Sequence, residues 1–344
     1  AVSELTILDT DGNKIKKAAQ GIAFARIAAS ATSYARDLVN EPASVMTPAH
    51  LVKHARDIVK KSGGKIKIKV FDRAECKKRG MGAFLAVAQG ASEEPYFVHL
   101  TYNPTSPPRK LRGGKERFKK LALVGKAITF DSGGLQIKPD TAMETMKLDM
   151  AGAAAVLGVF SVITELKLPY EVHGIFAAAE NMPGNKAYKP GDIVRAMNGK
   201  TIEIAHTDAE GRVTLADSLS YAVSLKPEYI IDLATLTGAC MVALGEEVGG
   251  LFTNNQKLGL KVGAAAVKAG ERLWELPMVE EYRDFIKSPV ADVRNSGKTR
   301  YGGAITAGLF LQEFVDATPW VHLDIAGPAW AERELLPYVP LGGS

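Results

Sequence analysis

Apolar positions along the chain switch repeatedly between a helical and a strand-like spacing. Residues 15–39 carry helical apolar spacing and stop before Asn40-Glu41-Pro42, and residues 48–62 read as a second helix. Lys65–Phe71 alternates polar and apolar side chains in the manner of a half-buried strand. Tyr96–Tyr102 and Lys120–Val124 read as strands on either side of Pro104–Lys119, a loop rich in proline, glycine and basic residues. Leu121-Ala122-Leu123-Val124-Gly125 is a wholly apolar run of the buried-strand kind, and Met150–Val156 reads as a tightly packed helix of small residues. Downstream come strand Val172–Ala178, strand Thr201–Ala205, helix Val213–Ser224, strand Tyr229–Ala234, helices over 257–270 and 303–315, and strand Val321–Ile325. No repeat or low-complexity tract interrupts this order. Alternating helices and strands predict an α/β fold with a central, mostly parallel sheet covered on both faces.

Charged residues gather where these elements end. Thr201–Ala205 runs into His206-Thr207-Asp208-Ala209-Glu210-Gly211-Arg212. If that segment stays extended, Asp208, Glu210 and Arg212 project to one side. Two carboxylates so close repel unless a cation lies between them, and a divalent metal answers that need; a surface salt-bridge cluster would use the same residue types. A second acidic segment follows Gly125: Lys126, then Asp131 before Ser132-Gly133-Gly134, then Lys138. A strand entering a glycine-rich turn puts polar groups at the carboxyl edge of a sheet, where open α/β sheets build their sites. Asp149 precedes the Met150–Val156 helix, where simple N-capping would account for it. Capping does not account for acids recurring beside lysines at strand ends and helix starts.

Gly125-Lys126-Ala127-Ile128-Thr129-Phe130-Asp131-Ser132-Gly133-Gly134, Lys138, Lys147-Leu148-Asp149-Met150 and Thr207-Asp208-Ala209-Glu210-Gly211-Arg212 closely resemble the leucine aminopeptidase (M17) family of dinuclear metalloexopeptidases. The likeness runs from Arg36-Asp37-Leu38-Val39-Asn40-Glu41-Pro42 to Leu323-Asp324-Ile325-Ala326-Gly327. The resemblance implies a three-layer α/β/α domain around a mixed sheet, with metal ligands at Lys126, Asp131, Asp149, Asp208 and Glu210. Catalytic side chains are implied at Lys138 and Arg212. It gives Asp131 and Glu210 the bridging role that two ions about 3.5–4 Å apart require. Lys126 could coordinate only as a neutral amine, so neighbouring dications would have to depress its pKa. As an ammonium, Lys138 would stabilise the oxyanion of a tetrahedral intermediate. Arg212 has no usable proton-transfer pKa, and the resemblance implies that it holds a bicarbonate ion that shuttles the proton.

By the same matching, Met146, Thr235, Gly238, Ala326 and Ala329 line the pocket for the first substrate side chain. Leu236 and Gly238 supply backbone hydrogen bonds, and His206, where the family more usually has Asn, lies beside the second substrate residue. Ala329 stands where a Met is usual, which predicts a roomier pocket. The expected activity is removal of N-terminal residues from peptides, apolar ones such as Leu and Met preferred, with a narrow cysteinylglycine-type dipeptidase as the alternative. Zinc or manganese is the expected pair of ions, with cobalt and magnesium also suited; one amine and four carboxylates do not select among them. The family forms hexamers as paired trimers. Residues 1–40 are expected to be a connecting-helix region after a missing N-terminal domain, and 41–344 the catalytic domain without its final helix.

Composition narrows the setting. A chain of 344 residues, 46% hydrophobic, can bury a large core. No apolar stretch of about 18 residues and no signal pattern are read from it, so no membrane partner and a cytoplasmic location are expected. Cys76 and Cys240 lack a CxxC or Cys/His spacing, which disfavours a disulfide scaffold or a zinc-thiolate site, and Cys240 reads as a small buried residue near the site. The net charge of +5 owes much to Arg109, Lys110, Arg112, Lys115, Arg117, Lys119 and Lys120 in one loop. Without aromatic interleaving or a helix-turn-helix signature, this run reads first as a solvated hairpin; because some members of the resembling family also bind DNA, a moonlighting DNA-binding role is the other alternative.

Overall fold

In a computed structural model of the chain, the residues described are 6, 8–104, 118–334 and 341–343. Arg109, Lys110, Arg112, Lys115 and Arg117 of the basic loop lie outside them. Helices α1 (Gly12–Asn40) and α2 (Pro48–Lys61) lead into β1 (Ile66–Phe71), α3 (Arg73–Lys78), α4 (Gly82–Val87) and β2 (Tyr96–Tyr102). Next come β3 (Lys119–Asp131), α5 (Asp140–Met143), α6 (Ala151–Leu166), β4 (Tyr170–Asn181), β5 (Ile193–Arg195) and β6 (Thr201–Glu203). Then follow α7 (Glu210–Ser224), β7 (Tyr229–Ala234), α8 (Gly238–Leu244), β8 (Gly249–Thr253), α9 (Gln256–Ala269) and β9 (Leu273–Glu275). The last to be named are α10 (Arg283–Ile286), β10 (Val293–Arg294), α11 (Gly303–Gln312) and β11 (Trp320–Asp324).

Eight strands form the main sheet in the order β1-β2-β4-β3-β7-β11-β8-β9. Its centre, β4-β3-β7-β11, is parallel throughout, while β1, β2 and β8 join it antiparallel to their inner neighbours. The sheet is therefore mixed, as the resemblance implies, around the parallel core that the alternating pattern predicts. β10, β6 and β5 make a small separate sheet.

Strand periodicity sorts the core into two layers. Along β4, Val172, Phe176 and Ala178 pack with Leu51 and Ala55 of α2 and Leu157 and Phe160 of α6. The alternate residues Ile175, Ala177 and Ala179 pack with Phe84 of α4, Leu215 and Leu219 of α7 and Phe310 of α11. The sheet is thus buried on both faces, which is why its strands read as near-continuous apolar runs. α6 lies close enough to the sheet that a Cβ on Gly152 would sit 2.1 Å from the Leu233 carbonyl oxygen. The expectation of no membrane-length apolar stretch needs correcting. Asp140–Leu166 contains an 18-residue window apolar enough to cross a bilayer, yet 72% of that window is buried inside the fold. A helix enclosed on most sides by protein needs no polar face.

Candidate active site and metal centre

The carboxyl ends of the parallel strands and the first turns of α6 and α7 meet at one place. Lys126 and Asp131 are five positions apart on β3, a spacing that puts side chains on opposite faces of a regular strand. The register with β4 shifts between Ile128 and Phe130, where β3 holds one extra residue. This bulge re-aims Asp131 to the side that Lys126 already faces. Beyond it, Gly133 and Gly134 take φ of +87° and +69°, and the chain turns back so that Lys138 Nζ lies 2.8 Å from Asp131 Oδ2 and 2.5 Å from Asp208 Oδ1.

The extended reading of Asp208, Glu210 and Arg212 is not what the chain does. β6 stops at Glu203, and α7 starts at Glu210. The Asn295 side chain accepts from the Ala205 and His206 amides and donates to the His206 carbonyl, which ends the strand pairing and starts a turn. Asp208 stands in that turn, and Glu210 and Arg212 occupy the first turn of the helix. Alternation therefore does not bring these three together. The turn and the helix start do bring ligand atoms of Asp208 and Glu210 to within 4.8 Å of each other and of Asp131.

Lys126 closes the other half of the cluster. Its Nζ is 2.8 Å from Asp149 Oδ1, 2.8 Å from Glu210 Oε1 and 3.0 Å from the Thr235 carbonyl. The lysine lies against the first turn of α7 because residue 211 is glycine; a Cβ there would be 2.5 Å from Lys126 Cε. Asp149 does not cap α6 with its side chain; it accepts from Lys126 and from the Thr235 hydroxyl at 2.7 Å.

Electrostatics follow from burial. Lys126, Asp131, Asp149 and Glu210 are each at most 4% exposed. Burial disfavours the Lys126 ammonium, but Asp149, Glu210 and Asp131 outweigh it and hold its pKa above the ordinary lysine range. Lys138 is shifted up against burial by Asp131, Glu210 and Asp208. Burial, reinforced by neighbouring Asp131, raises Asp149, Asp208 and Glu210. Arg212 is lowered to about 10 by burial. Without other cations, then, the lysine that the resemblance makes a ligand is a firmly held ammonium.

The donors fit a group of higher positive charge than these lysines. Asp149 Oδ2 and Glu210 Oε2 are buried with no hydrogen-bond partner among the described residues. A buried carboxylate oxygen left unpaired is costly unless a cation takes it. Arg212 Nε is likewise buried and unpartnered. The guanidinium fork suits a planar oxyanion such as bicarbonate.

Several supporting residues escape a motif reading. Asn181 Nδ2 donates to Asp131 Oδ1 at 2.7 Å and to the Thr207 carbonyl at 3.1 Å, and the Tyr188 hydroxyl donates to the same carbonyl at 2.7 Å. Asp324, at the end of β11, accepts from the Leu236 and Ala326 amides and from the Thr237 hydroxyl. Asp324 lies within the Leu323–Gly327 segment that shares the resemblance, but nothing there gives it a role; nothing local marks Asn181 or Asn295. Among the pocket positions, Met146, Leu236 and Ala326 are half-buried, Gly238 is exposed at the start of α8, and Thr235 and Ala329 are buried. The Leu236 amide is held by Asp324 Oδ1 at 3.1 Å. His206 is half-buried and accepts from the Asp208 amide through Nδ1 at 3.2 Å. Cys240 is buried, its sulfur 3.9 Å from the Asp324 carbonyl.

A family model described as the catalytic domain of the cytosol aminopeptidase family matches residues 33–343. The probable cytosol aminopeptidase of Aquifex aeolicus is 53% identical over 92% of this chain and 62% of its own length. That of Persephonella marina is 52% identical over 91% of this chain and 61% of its own. A solved structure of a tomato leucine aminopeptidase mutant superposes with a TM-score of 0.83 at 48% identity, covering 91% of this chain and 59% of that one. The chain spans about three fifths of the length of these curated relatives.

Proposed function

The chain belongs to the cytosol aminopeptidase family, and from that premise we propose that it is a metal-dependent aminopeptidase that hydrolyses the N-terminal bond of peptides. The observation that carries this reading is the cluster of Asp131, Asp208 and Glu210, whose ligand atoms lie within 4.8 Å, joined through Lys126 to Asp149. In this proposal Lys126, Asp131, Asp149, Asp208 and Glu210 hold two divalent ions, zinc or manganese. When bound, such ions polarise a carbonyl and lower the pKa of water to near neutrality.

The chain's own residues do the rest. Lys138, kept protonated by its carboxylate neighbours, presents an ammonium at the mouth of the cluster, where it can stabilise negative charge on a scissile carbonyl oxygen. Arg212 holds a small oxyanion such as bicarbonate at its unpartnered Nε. Thr235 and Asn181 fix the carboxylates Asp149 and Asp131 by hydrogen bonds. Asp324 fixes the Leu236–Thr237 backbone, and the Leu236 carbonyl receives the substrate amine. Met146, Gly238, Ala326 and Ala329 offer an apolar wall without a cationic partner for an acidic side chain, so Leu, Met and Phe are the preferred first residues. A cytoplasmic location and assembly into paired trimers belong to the same proposal.

Leucine p-nitroanilide and its N-acetyl derivative separate the reading from its rivals. An aminopeptidase cleaves the first and not the second, and loses activity in a chelator. Equal cleavage of both, or activity indifferent to chelator, would overturn the proposal.

A further inference from the structure

A second group of ligand-type side chains lies on α2, an element that supplies nothing to the carboxylate cluster. His50 and His54 are four positions apart, so they share one helix face. Leu51, Val52, Ala55 and Ile58 are buried, which fixes the rotation of α2 and leaves both histidines half-buried at its margin. Their ring centroids are 5.9 Å apart with planes inclined at 34°. An imidazole coordinating through a ring nitrogen about 2.0–2.1 Å long places its centroid about 3 Å from the ion, so two rings on one ion can be at most about 6 Å apart. The observed pair is within that limit.

The surroundings suit coordination. The Tyr34 hydroxyl lies 2.9 Å from His54 Nδ1, an outer-shell contact of the kind that fixes a ligand histidine's tautomer and leaves the other nitrogen free. Burial, helped by Asp57, pushes the Tyr34 phenol up to about 12, so it stays a hydroxyl. Burial and then His50 lower His54, so few protons compete for its ring. Asp57 adds a negative charge close enough to act on both Tyr34 and His54.

We propose that His50 and His54 form a surface clip for a divalent ion of the copper, nickel or zinc class, oriented by Tyr34 and separate from the carboxylate cluster. Paired imidazoles favour these ions over magnesium or calcium. The residue after His50 is Leu51 rather than the glutamate that hydrolytic helix-borne histidine pairs place there, so the clip binds without catalysing. Closing it would tie α2 to α1 through Tyr34.

The test uses Cu²⁺ as probe on the full chain, with pulsed electron paramagnetic resonance reporting imidazole nitrogens. The carboxylate cluster offers one amine nitrogen, from Lys126, and no imidazole among its proposed ligands. His99, His173 and His322 are buried, leaving His206 as the competitor. The proposal expects two imidazoles on bound Cu²⁺ in the parent and in His206→Asn, and loss of that signature with at least about tenfold weaker binding in His50→Gln and in His54→Gln. It is overturned if the signature survives either glutamine variant, disappears in His206→Asn, or is absent from the parent.

Discussion

Lys126 is the residue whose environment has the most to say. Its ammonium touches Asp149 and Glu210, while Asp149 Oδ2 and Glu210 Oε2 have no hydrogen-bond partner among the described residues. In the proposed dinuclear site, Asp131→Ala and Glu210→Ala should each cut turnover by at least about a hundredfold and leave one bound ion or none. Elemental analysis finding two tightly held ions in either variant would defeat the bridging role. Loading ions requires protons to leave Lys126, held above the lysine range, and Asp149 and Glu210, held above the carboxylate range. Metal affinity of the stripped protein should therefore rise with pH, and binding should release protons. Calorimetry in buffers of different ionisation enthalpy reads that release; pH-independent binding with none would count against it. These acids and lysines were legible in sequence because they stand in dense motifs at element ends. The supporting roles of Asn181, Asn295 and Asp324 were not, because each acts on backbone or side chains 26 to 90 positions away, or across a turn.

At the scale of elements, the placement of α7 shows what periodicity misses. Its apolar pattern marked the helix from Val213, but its first turn is Glu210-Gly211-Arg212, polar residues that carry no helical signature. Likewise the short β8, Gly249–Thr253, has two glycines and no alternation to announce it. Close approach of α6 depends on Gly152, and Gly152→Ala should cost about 1–3 kcal/mol or more through overpacking against the Leu233 carbonyl. Asp149, three residues earlier, should shift with the helix, so metal affinity should fall along with Tm; an unchanged Tm would contradict the contact. Asp217 joins α7 to α4, accepting from the Phe84 and Met197 amides at 2.8 and 2.7 Å. Burial raises it to about 7. Folded protein thus retains a proton that the unfolded chain loses near pH 4, so this group's contribution to stability is greatest below pH 4. It falls by about 1.4 kcal/mol per unit as pH rises toward 7. Asp217→Asn, which cannot ionise but loses one acceptor, should be less stable than the parent by about 1–3 kcal/mol at pH 4. The gap should shrink as pH rises toward 7 in denaturant titrations, and a pH-independent gap would refute the assignment.

For the molecule as a whole, a parallel core of four strands brings β3, β7 and β11 to one edge with their carboxyl ends together. That arrangement explains why residues from 126 to 324 meet in one site. The α/β class and the parallel centre were readable from alternating helical and strand patterns. The antiparallel flanks were not, since strand direction depends on connections rather than on the residues within a strand. The bulge in β3 was also hidden, although it decides whether Lys126 and Asp131 share a face. The most direct test of the central claim titrates metal-stripped protein with Mn²⁺ while measuring bound ions and leucine p-nitroanilide hydrolysis in the same samples. Hydrolysis should be absent without ions and reach its plateau as occupancy reaches two per chain. Full hydrolysis by protein holding no ion, or no hydrolysis at an occupancy of two, would contradict the account.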